Sequence, residues 1–416
     1  GCHRNIDPST DLARSRGIIE SMVRSLKGLY HLLVAMAAVL WFRFPSRRLT
    51  VIGVTGTDGK TTTTTLIYEI LKKAGYTCSM ISSVHAQIAG TSYDTGFHVT
   101  TPSAFWVQKY LREAVDHGDT HMVLEVTSHA LAQHRVFGVR FAVGVLTNVT
   151  HEHLDWHKTF GEYLKTKLSL LRRSRVAVIN RDEAEVYNKI ITKLRRKKLV
   201  TYGIRRDANV TPKTHPFKTL LPGEFNRYNC LAALAVGNVL GIPHRTAQAA
   251  IAQFPGVPGR MEVIVGKPFT VIVDFAHTPN AIDRVLKTCR TMTKKHLIHV
   301  FGSAGLRDRT KRPLMGKASS RYADMIVLTE EDYRTESVEA IMDQIASGIL
   351  AGKEAHRFTN RRDAIIFGLK TAQPGDIVII TGKGHERSLC RGKIEYPWSD
   401  QEEVRKILKQ MSTNHA

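Results

Sequence analysis

Short, predominantly apolar runs recur along the chain between stretches of helical period. Residues 49–54, 122–126, 142–146 and 176–179 in the first half, and 269–273, 297–301, 325–328 and 377–380 in the second, are rich in Val, Ile and Leu. They lack the apolar–polar alternation of a half-exposed strand, so they read as strands buried on both faces, as in a parallel sheet. The intervening stretches carry apolar residues three and four apart. Leu66, Ile67, Ile70, Leu71 and Ala74 line one face of a helix that Gly75 ends. Residues 104–117 predict a second helix, and a third carries Leu231, Ala232 and Leu234 and stops at Gly241.

This alternation predicts an α/β protein with two doubly wound, mostly parallel sheets. The Pro- and Gly-rich stretch 254–261, FPGVPGRM, reads as a hinge between them. The expected division is a short helical segment over 1–48, a central domain over 49–254 and a C-terminal Rossmann-like domain over 255–416. In the N-terminal segment, residues 29–42 are apolar except for His31. They are too few to span a bilayer. With Arg24, Lys27, Arg43, Arg47 and Arg48 around them, two readings stay open: a helix packed on the next domain, or peripheral contact with an anionic membrane.

Composition adds one unusual feature. The 416 residues hold 60 Lys+Arg against 37 Asp+Glu, a net charge of +23. Such a balance favours anionic partners. The basic residues are scattered apart from runs such as 193–198, with no aromatic-interleaved stripe of the kind that binds single strands. Nucleic acid is therefore not an expected partner. Cys2, Cys78, Cys230, Cys289 and Cys390 show no CxxC spacing, which fits a reduced, cytoplasmic protein without a disulfide framework.

The chemistry centres on Gly56-Thr57-Asp58-Gly59-Lys60-Thr61-Thr62, between the first strand and the first helix. Glycines let loop N–H groups turn toward an anion, Lys60 supplies a charge for the β/γ-phosphates, and the Thr61 hydroxyl can hold Mg²⁺. Val54 stands where the strict phosphate-loop pattern has its first glycine, so the loop is a variant. Glu125 closes a buried strand, the position from which a carboxylate completes a nucleotide-bound Mg²⁺. His151, Glu152, His153 and His157 cluster without the HExxH spacing of a zinc site.

Together GTDGKTT, TTP, EVTSHAL, TNVTHEHLD, LPGEFNRYN, VPGRME, VDFAHTPN, RDRTKRPLM and GKGHE occur in the order found in Mur ligases. The chain resembles most the MurE type, which adds an amino acid to a UDP-linked muramoyl dipeptide. The resemblance implies ATP-dependent amide formation through an acyl phosphate. It implies that Gly56 to Thr62 with Lys60 hold ATP phosphates, that Thr61, Glu125, His153 and a carbamylated Lys167 bind Mg²⁺, and that Asn229 lies near adenine. Lys165 is the competing candidate for the modified lysine. Arg260, Asp274, His277 and Lys311 match residues that close over ATP. Thr100, Thr101, Ser128, Gln133 and Arg135 match positions that hold the sugar-peptide substrate, and Arg334, Gly382 and Glu386 those that meet the amino acid. The catalytic set implied is Lys60, Glu125, His153, Lys167 and Arg260.

Four departures shape the expectation, one being that the segment from Gly203 to Leu221 is shorter than the family's, which would trim peripheral strands. The family carries a uridine-nucleotide-binding domain before the phosphate loop, where this chain has residues 1–48. Diaminopimelate-adding members read Asp-Asn-Pro-Arg where this chain reads Glu331-Asp332-Tyr333-Arg334, and Ala304 and Leu306 replace the usual Gly and Asp. The leading expectation is a monomeric, cytoplasmic MurE-like ligase taking an anionic sugar-peptide and an amino acid, with peripheral membrane contact through 29–42 left open. The alternatives are a Mur-like ligase acting on a lipid-linked or other non-UDP carboxylate, a non-catalytic ATP-binding subunit and, on charge alone, a nucleic-acid-dependent ATPase.

Overall fold

The computed structural model describes residues 28–93, 100–149 and 159–413. The first half folds around an eight-stranded sheet in the order β4-β3-β2-β5-β1-β6-β7-β8. Its strands are β1 (Thr50–Thr55), β2 (Cys78–Ile81), β3 (Ala86–Ile88), β4 (Thr91–Tyr93), β5 (His121–Glu125), β6 (Phe141–Leu146), β7 (Val176–Asn180) and β8 (Lys198–Tyr202). All neighbours pair in parallel except at β3 and β4. Side chains on the two faces of β1 explain its apolar run. Ile52 and Val54 enter a core with helix Lys60–Lys73 and helix Glu224–Val239, while Val51 enters another with Leu111, Leu124 and Leu170. Val54 pairs with both Glu125 and Val145. The loops after β1, β5 and β6 therefore leave the sheet at one level, the standard position for a ligand in an open α/β sheet.

The second half holds a six-stranded sheet, β13-β12-β11-β14-β10-β9. It comprises β9 (Glu262–Val265), β10 (Thr270–Asp274), β11 (Leu297–Phe301), β12 (Met325–Thr329), β13 (Glu354–Phe358) and β14 (Ile377–Thr381), with a separate hairpin of β15 (Ser388–Arg391) and β16 (Ile394–Pro397). Only β9 runs antiparallel in the larger sheet. The four strands read from the sequence are its buried centre. The edge β13 is largely exposed and presents no continuous apolar run, while half-buried β9 presents only the short run Val263 to Val265.

Between Gln253 and Glu262 no helix or strand forms. Gly259 in this linker has φ +68°, and a Cβ there would lie 2.1 Å from the backbone nitrogen of His385. Glycine thus permits the linker to press directly on the loop after β14.

Residues 28–41 are helical. Ala35, Ala38 and Val39 are buried, and the Phe42 ring lies 5.1 Å from that of Phe105. Of the two readings of the apolar N-terminal run, packing on the following domain is present. No helix among the described residues is long and apolar enough to cross a membrane.

Candidate active site

One cavity of about 1840 Å³ lies between the strand ends of the two sheets, with walls from both. Every described residue expected at the site from the sequence lines it. His153, with His151, Glu152 and His157, lies outside the described residues.

The phosphate loop forms one wall. Gly59 caps helix Lys60–Lys73 with φ 75°, and a Cβ there would lie 2.2 Å from Asn229 Oδ1. Position 59 therefore needs glycine for both conformation and space. Asn148 anchors the loop: its carbonyl accepts from Thr57 N at 2.9 Å and its Oδ1 from Asp58 N at 2.8 Å. Lys60 Nζ donates to Thr57 O at 2.7 Å. A helix N-terminus presents amide donors that have no intrahelical partner, an arrangement suited to phosphate.

Behind the loop, Lys167 is 1% exposed. Its Nζ donates to Gly56 O at 2.6 Å and lies 4.4 Å from the centre of the Tyr163 ring. The Tyr163 hydroxyl in turn shares a 3.1 Å hydrogen bond with Thr57 Oγ1. Lys165, two residues earlier on the same helix, is exposed and does not line the cavity.

Glu125 is buried at the end of β5. Its Oε1 accepts from Thr61 Oγ1 at 3.1 Å and from Ser83 Oγ at 2.8 Å, and its Oε2 accepts from Ser83 N at 2.8 Å. Two hydroxyls and one carboxylate make a hard oxygen set, the donor chemistry Mg²⁺ prefers, so these residues fit that ion. Ser83 was not singled out in the sequence, because a serine after a short strand carries no motif. Thr101 Oγ1 donates to Glu125 O at 2.9 Å, and Arg135 Nη1 to Thr101 O at 2.5 Å. Gln133 Oε1 holds the same guanidinium. The substrate-side residues thus form one network with the carboxylate.

The second sheet supplies the facing wall. Arg260 reaches across, with Nη2 3.5 Å from Thr61 Oγ1 and its guanidinium 4.3 Å from the centre of the Phe275 ring. Burial lowers its pKa against the raising effect of Asp274 and Glu125. Asp274 accepts from Met261 N and Ala276 N, each at 2.7 Å. Burial pushes its carboxyl upward, opposed by the Arg260 charge. His277 donates from Nδ1 to Phe275 O at 2.9 Å. Burial, and then Lys311, bring its pKa down to about 4. Lys311 Nζ donates to His277 O at 3.0 Å. His385 Nε2 donates to Ser83 O at 3.1 Å, so the loop after β14 touches the residue that holds Glu125.

At the far end, Arg334 has φ 53°, a left-handed conformation that β15 holds through Arg334 N to Cys390 O and Gly392 N to Arg334 O. Its Nη1 donates to Gly305 O at 2.7 Å. Glu386 pairs at 2.5 Å with buried Lys383, which also pairs with Asp332 at 2.7 Å. The sequence reading used Asp332 only as a departure and did not single out Lys383. Its neutralising role appears once β12 and β14 place the three groups together.

A phosphate loop facing a second nucleotide-type sheet across a cavity lined by cations and carboxylates defines a two-domain, ATP-binding α/β enzyme. Residues 54–237 match the Mur ligase middle domain and residues 259–384 the Mur ligase, glutamate ligase domain. The chain is 39% identical over 386 residues to UDP-N-acetylmuramoyl-L-alanyl-D-glutamate–2,6-diaminopimelate ligase of Aquifex aeolicus (strain VF5), covering 88% of this chain and 79% of the relative. It is 36% identical over 417 residues to UDP-N-acetylmuramyl-tripeptide synthetase of Roseiflexus sp. (strain RS-1), covering 91% and 82%. A solved UDP-N-acetylmuramoyl-L-alanyl-D-glutamate–2,6-diaminopimelate ligase superposes with a TM-score of 0.59 at 31% identity, covering 88% of this chain and 79% of that one. The chain belongs to the Mur ligase family and is an ATP-dependent ligase that forms carbon–nitrogen bonds.

Proposed function

We propose that this protein performs the MurE-type reaction, joining an amino acid to the terminal carboxylate of UDP-linked muramoyl dipeptide, within a central domain of residues 49–254 and a C-terminal domain of 255–416. The observation that carries the reading is the single cavity in which the phosphate loop, Glu125 and Arg260 meet Thr101, Arg135, Arg334 and Glu386. The dipeptide carboxylate attacks the γ-phosphorus of ATP and ADP leaves. The amine then attacks the acyl carbon, and phosphate departs with the C–O bond. Lys60 and the loop amides bind the β/γ-phosphates, and Arg260 neutralises charge from the opposite wall. Thr61 and Glu125, with His153, would hold Mg²⁺, which would supply further charge neutralisation. Asn229 packs beneath the loop toward the adenine side, and Asp274, His277 and Lys311 form the ATP-facing part of the C-terminal wall. Thr100, Thr101, Ser128, Gln133 and Arg135 hold the sugar-peptide. Arg334 takes a carboxylate of the incoming amino acid, with Gly382 and Glu386 beside its amino group.

Lys167 is the carbamylation site in this reading. Its ammonium gives up one proton, and the free amine adds CO₂ and releases a second, turning a buried cation into an anionic group. Burial directly behind the phosphate loop supports Lys167 over exposed Lys165. The enzyme works as a monomer in the cytoplasm, and its N-terminal helix touches the inner membrane face. The exposed outer side of that helix supports this contact and keeps a lipid-linked acceptor as the second reading.

The test is phosphate release with UDP-muramoyl dipeptide and a panel of amino acids including diaminopimelate and lysine, with product mass read by spectrometry. Diaminopimelate-dependent release with a new amide is expected. Lys167→Ala should lose ligation and recover part of it with short carboxylic acids. Full activity in Lys167→Ala would end the carbamate assignment. Activity only with a lipid-linked acceptor would replace the UDP-linked one.

A further inference from the structure

The end of the first sheet opposite the cavity is a row of cations. β1, β6, β7 and β8 are consecutive neighbours running in parallel. Exposed Arg48 precedes β1, Arg140 precedes β6, Arg175 precedes β7, and Lys198 begins β8. Adjacent strands lie about 4.8 Å apart, so these side chains stand in sequence across one rim. Backbone contacts tie the segments together. Ser46 Oγ donates to Gly138 O and accepts from Arg140 N, each at 3.2 Å. Arg175 N donates to Phe141 O at 3.1 Å, and Lys197 Nζ to Ser174 O at 2.7 Å. Exposed Arg172, Arg173, Lys193, Arg195 and Arg196 widen the rim. Residues 45–50, 172–176 and 192–198 contain no Asp or Glu.

The N-terminal helix adjoins this rim. A Cβ at Gly138, two residues before Arg140, would lie 2.6 Å from Val39 Cγ2 of the helix, and Ser46, shortly after the helix, bonds Gly138 and Arg140. The helix is apolar on its outer face as well as its inner one. Leu33 is 56% exposed, Leu40 63% and Trp41 77%. Phe105 and Trp106, also exposed, extend the patch from the neighbouring helix. A helix apolar on all sides is stable when its second face is also covered, and a contiguous apolar patch with aromatic residues beside cations has the chemistry of a headgroup–acyl boundary. A polyanion such as RNA would satisfy the rim but would leave Leu33, Leu40 and Trp41 in water.

We propose that the protein docks on an anionic lipid surface through the outer face of the helix over 28–41 together with the cationic rim at the N-terminal ends of β1, β6, β7 and β8, with the nucleotide cavity facing away from the bilayer. The apolar half rests on the membrane contact proposed above. The cationic half adds the second contact surface and the orientation.

Sedimentation of the full chain with vesicles tests it, comparing phosphatidylcholine alone with phosphatidylcholine mixed with phosphatidylglycerol. Binding is expected only with the anionic mixture and should fall as salt rises. The pair Leu33→Asp/Leu40→Asp should abolish it, and the set Arg140→Glu/Arg175→Glu/Lys198→Glu should weaken it by about fivefold or more per residue. ATP-dependent ligation with soluble substrate should be unchanged in both, which also establishes that they fold. Equal binding to neutral vesicles, or full binding by the rim variant, would overturn the oriented docking while leaving helix contact standing. Failure of the wild type to bind either vesicle would overturn both. A wild-type dimer that Leu33→Asp/Leu40→Asp converts to monomer would assign the apolar face to a second copy. RNA binding that survives the leucine changes and displaces the vesicles would assign the rim to nucleic acid. Either result would overturn the proposal. Loss of ligation in wild type would bear on the ligase reading alone.

Discussion

The two halves of the site use cations in different ways. In the first, half-buried Lys60 donates to a main-chain carbonyl of the phosphate loop. In the second, Lys383 is held by Asp332 and Glu386, and fully buried Arg361 by Asp400. Burial alone lowers the Lys383 pKa, and the charges of Glu386 and Asp332 more than offset it. A lysine bonded to a carbonyl can exchange that partner for a phosphate without stranding an anion. A buried lysine between two carboxylates cannot be withdrawn without leaving their charges uncompensated. The first arrangement suits a site that fills and empties with each turnover, and the second suits a fixed frame that positions Arg334 and Glu386.

The largest expected contrast comes from removing one lysine on each side. Lys60→Ala should lower ATP turnover on the order of 10²-fold or more while leaving the unfolding midpoint nearly unchanged. Lys383→Met should do the reverse in kind, costing about 3–5 kcal/mol of stability through the stranded carboxylates. Urea titration and phosphate release on the same preparations measure both. A Lys60→Ala protein as unstable as Lys383→Met would erase the distinction.

Titration sharpens the comparison at intermediate scale. Burial and Lys311 bring His277 to about 4, while burial and Arg260 bring His385 to about 3. An unfolded histidine titrates at about 6.5. Between these values the unfolded chain binds more protons than the native one, so stability rises with pH. The contribution is complete above about 6.5 and is lost as pH falls toward 4 for His277. His299, at about 3 through burial and then Arg361, acts in the same direction. The second sheet should therefore loosen first in mild acid. His277→Gln should flatten the slope of unfolding free energy between about pH 6.5 and 4, removing up to ~3 kcal/mol of pH dependence. An unchanged slope would place that dependence on other groups.

Much of this arrangement was legible in the sequence for identifiable reasons. The buried runs at β1, β5, β10 and β14 have no solvent face, so their composition is continuous and visible. The phosphate loop, Glu125 and GKGHE are local in sequence or sit at strand ends. Ser83, Lys383 and His385 act through partners distant in the chain: Ser83 on Glu125, Lys383 on Asp332, and His385 on the carbonyl of Ser83. No spacing rule records such pairings. The edge β13 was hidden because its side chains largely face solvent, and β9 because its apolar run, Val263 to Val265, is too short to mark a strand. The cationic rim was seen only as scattered charge, since its members come from segments far apart in sequence and align only when β1, β6, β7 and β8 pair.

The smallest expected effect is at a lysine that is neither in the cavity nor buried. Lys189 pairs at 2.5 Å with Glu185 one helical turn away, and their side chains are 47% and 77% exposed. Water screens that attraction, and ordering two long side chains offsets most of what remains. Lys189→Ala should therefore change stability by no more than about 0.5 kcal/mol, and less in high salt. Against the several kcal/mol expected for Lys383→Met, the same residue type would span nearly the full range of ionic contributions within one molecule. A cost above about 1 kcal/mol at Lys189 would mean that exposure does not set the scale, and the contrast between carbonyl-held and carboxylate-held lysines would need another cause.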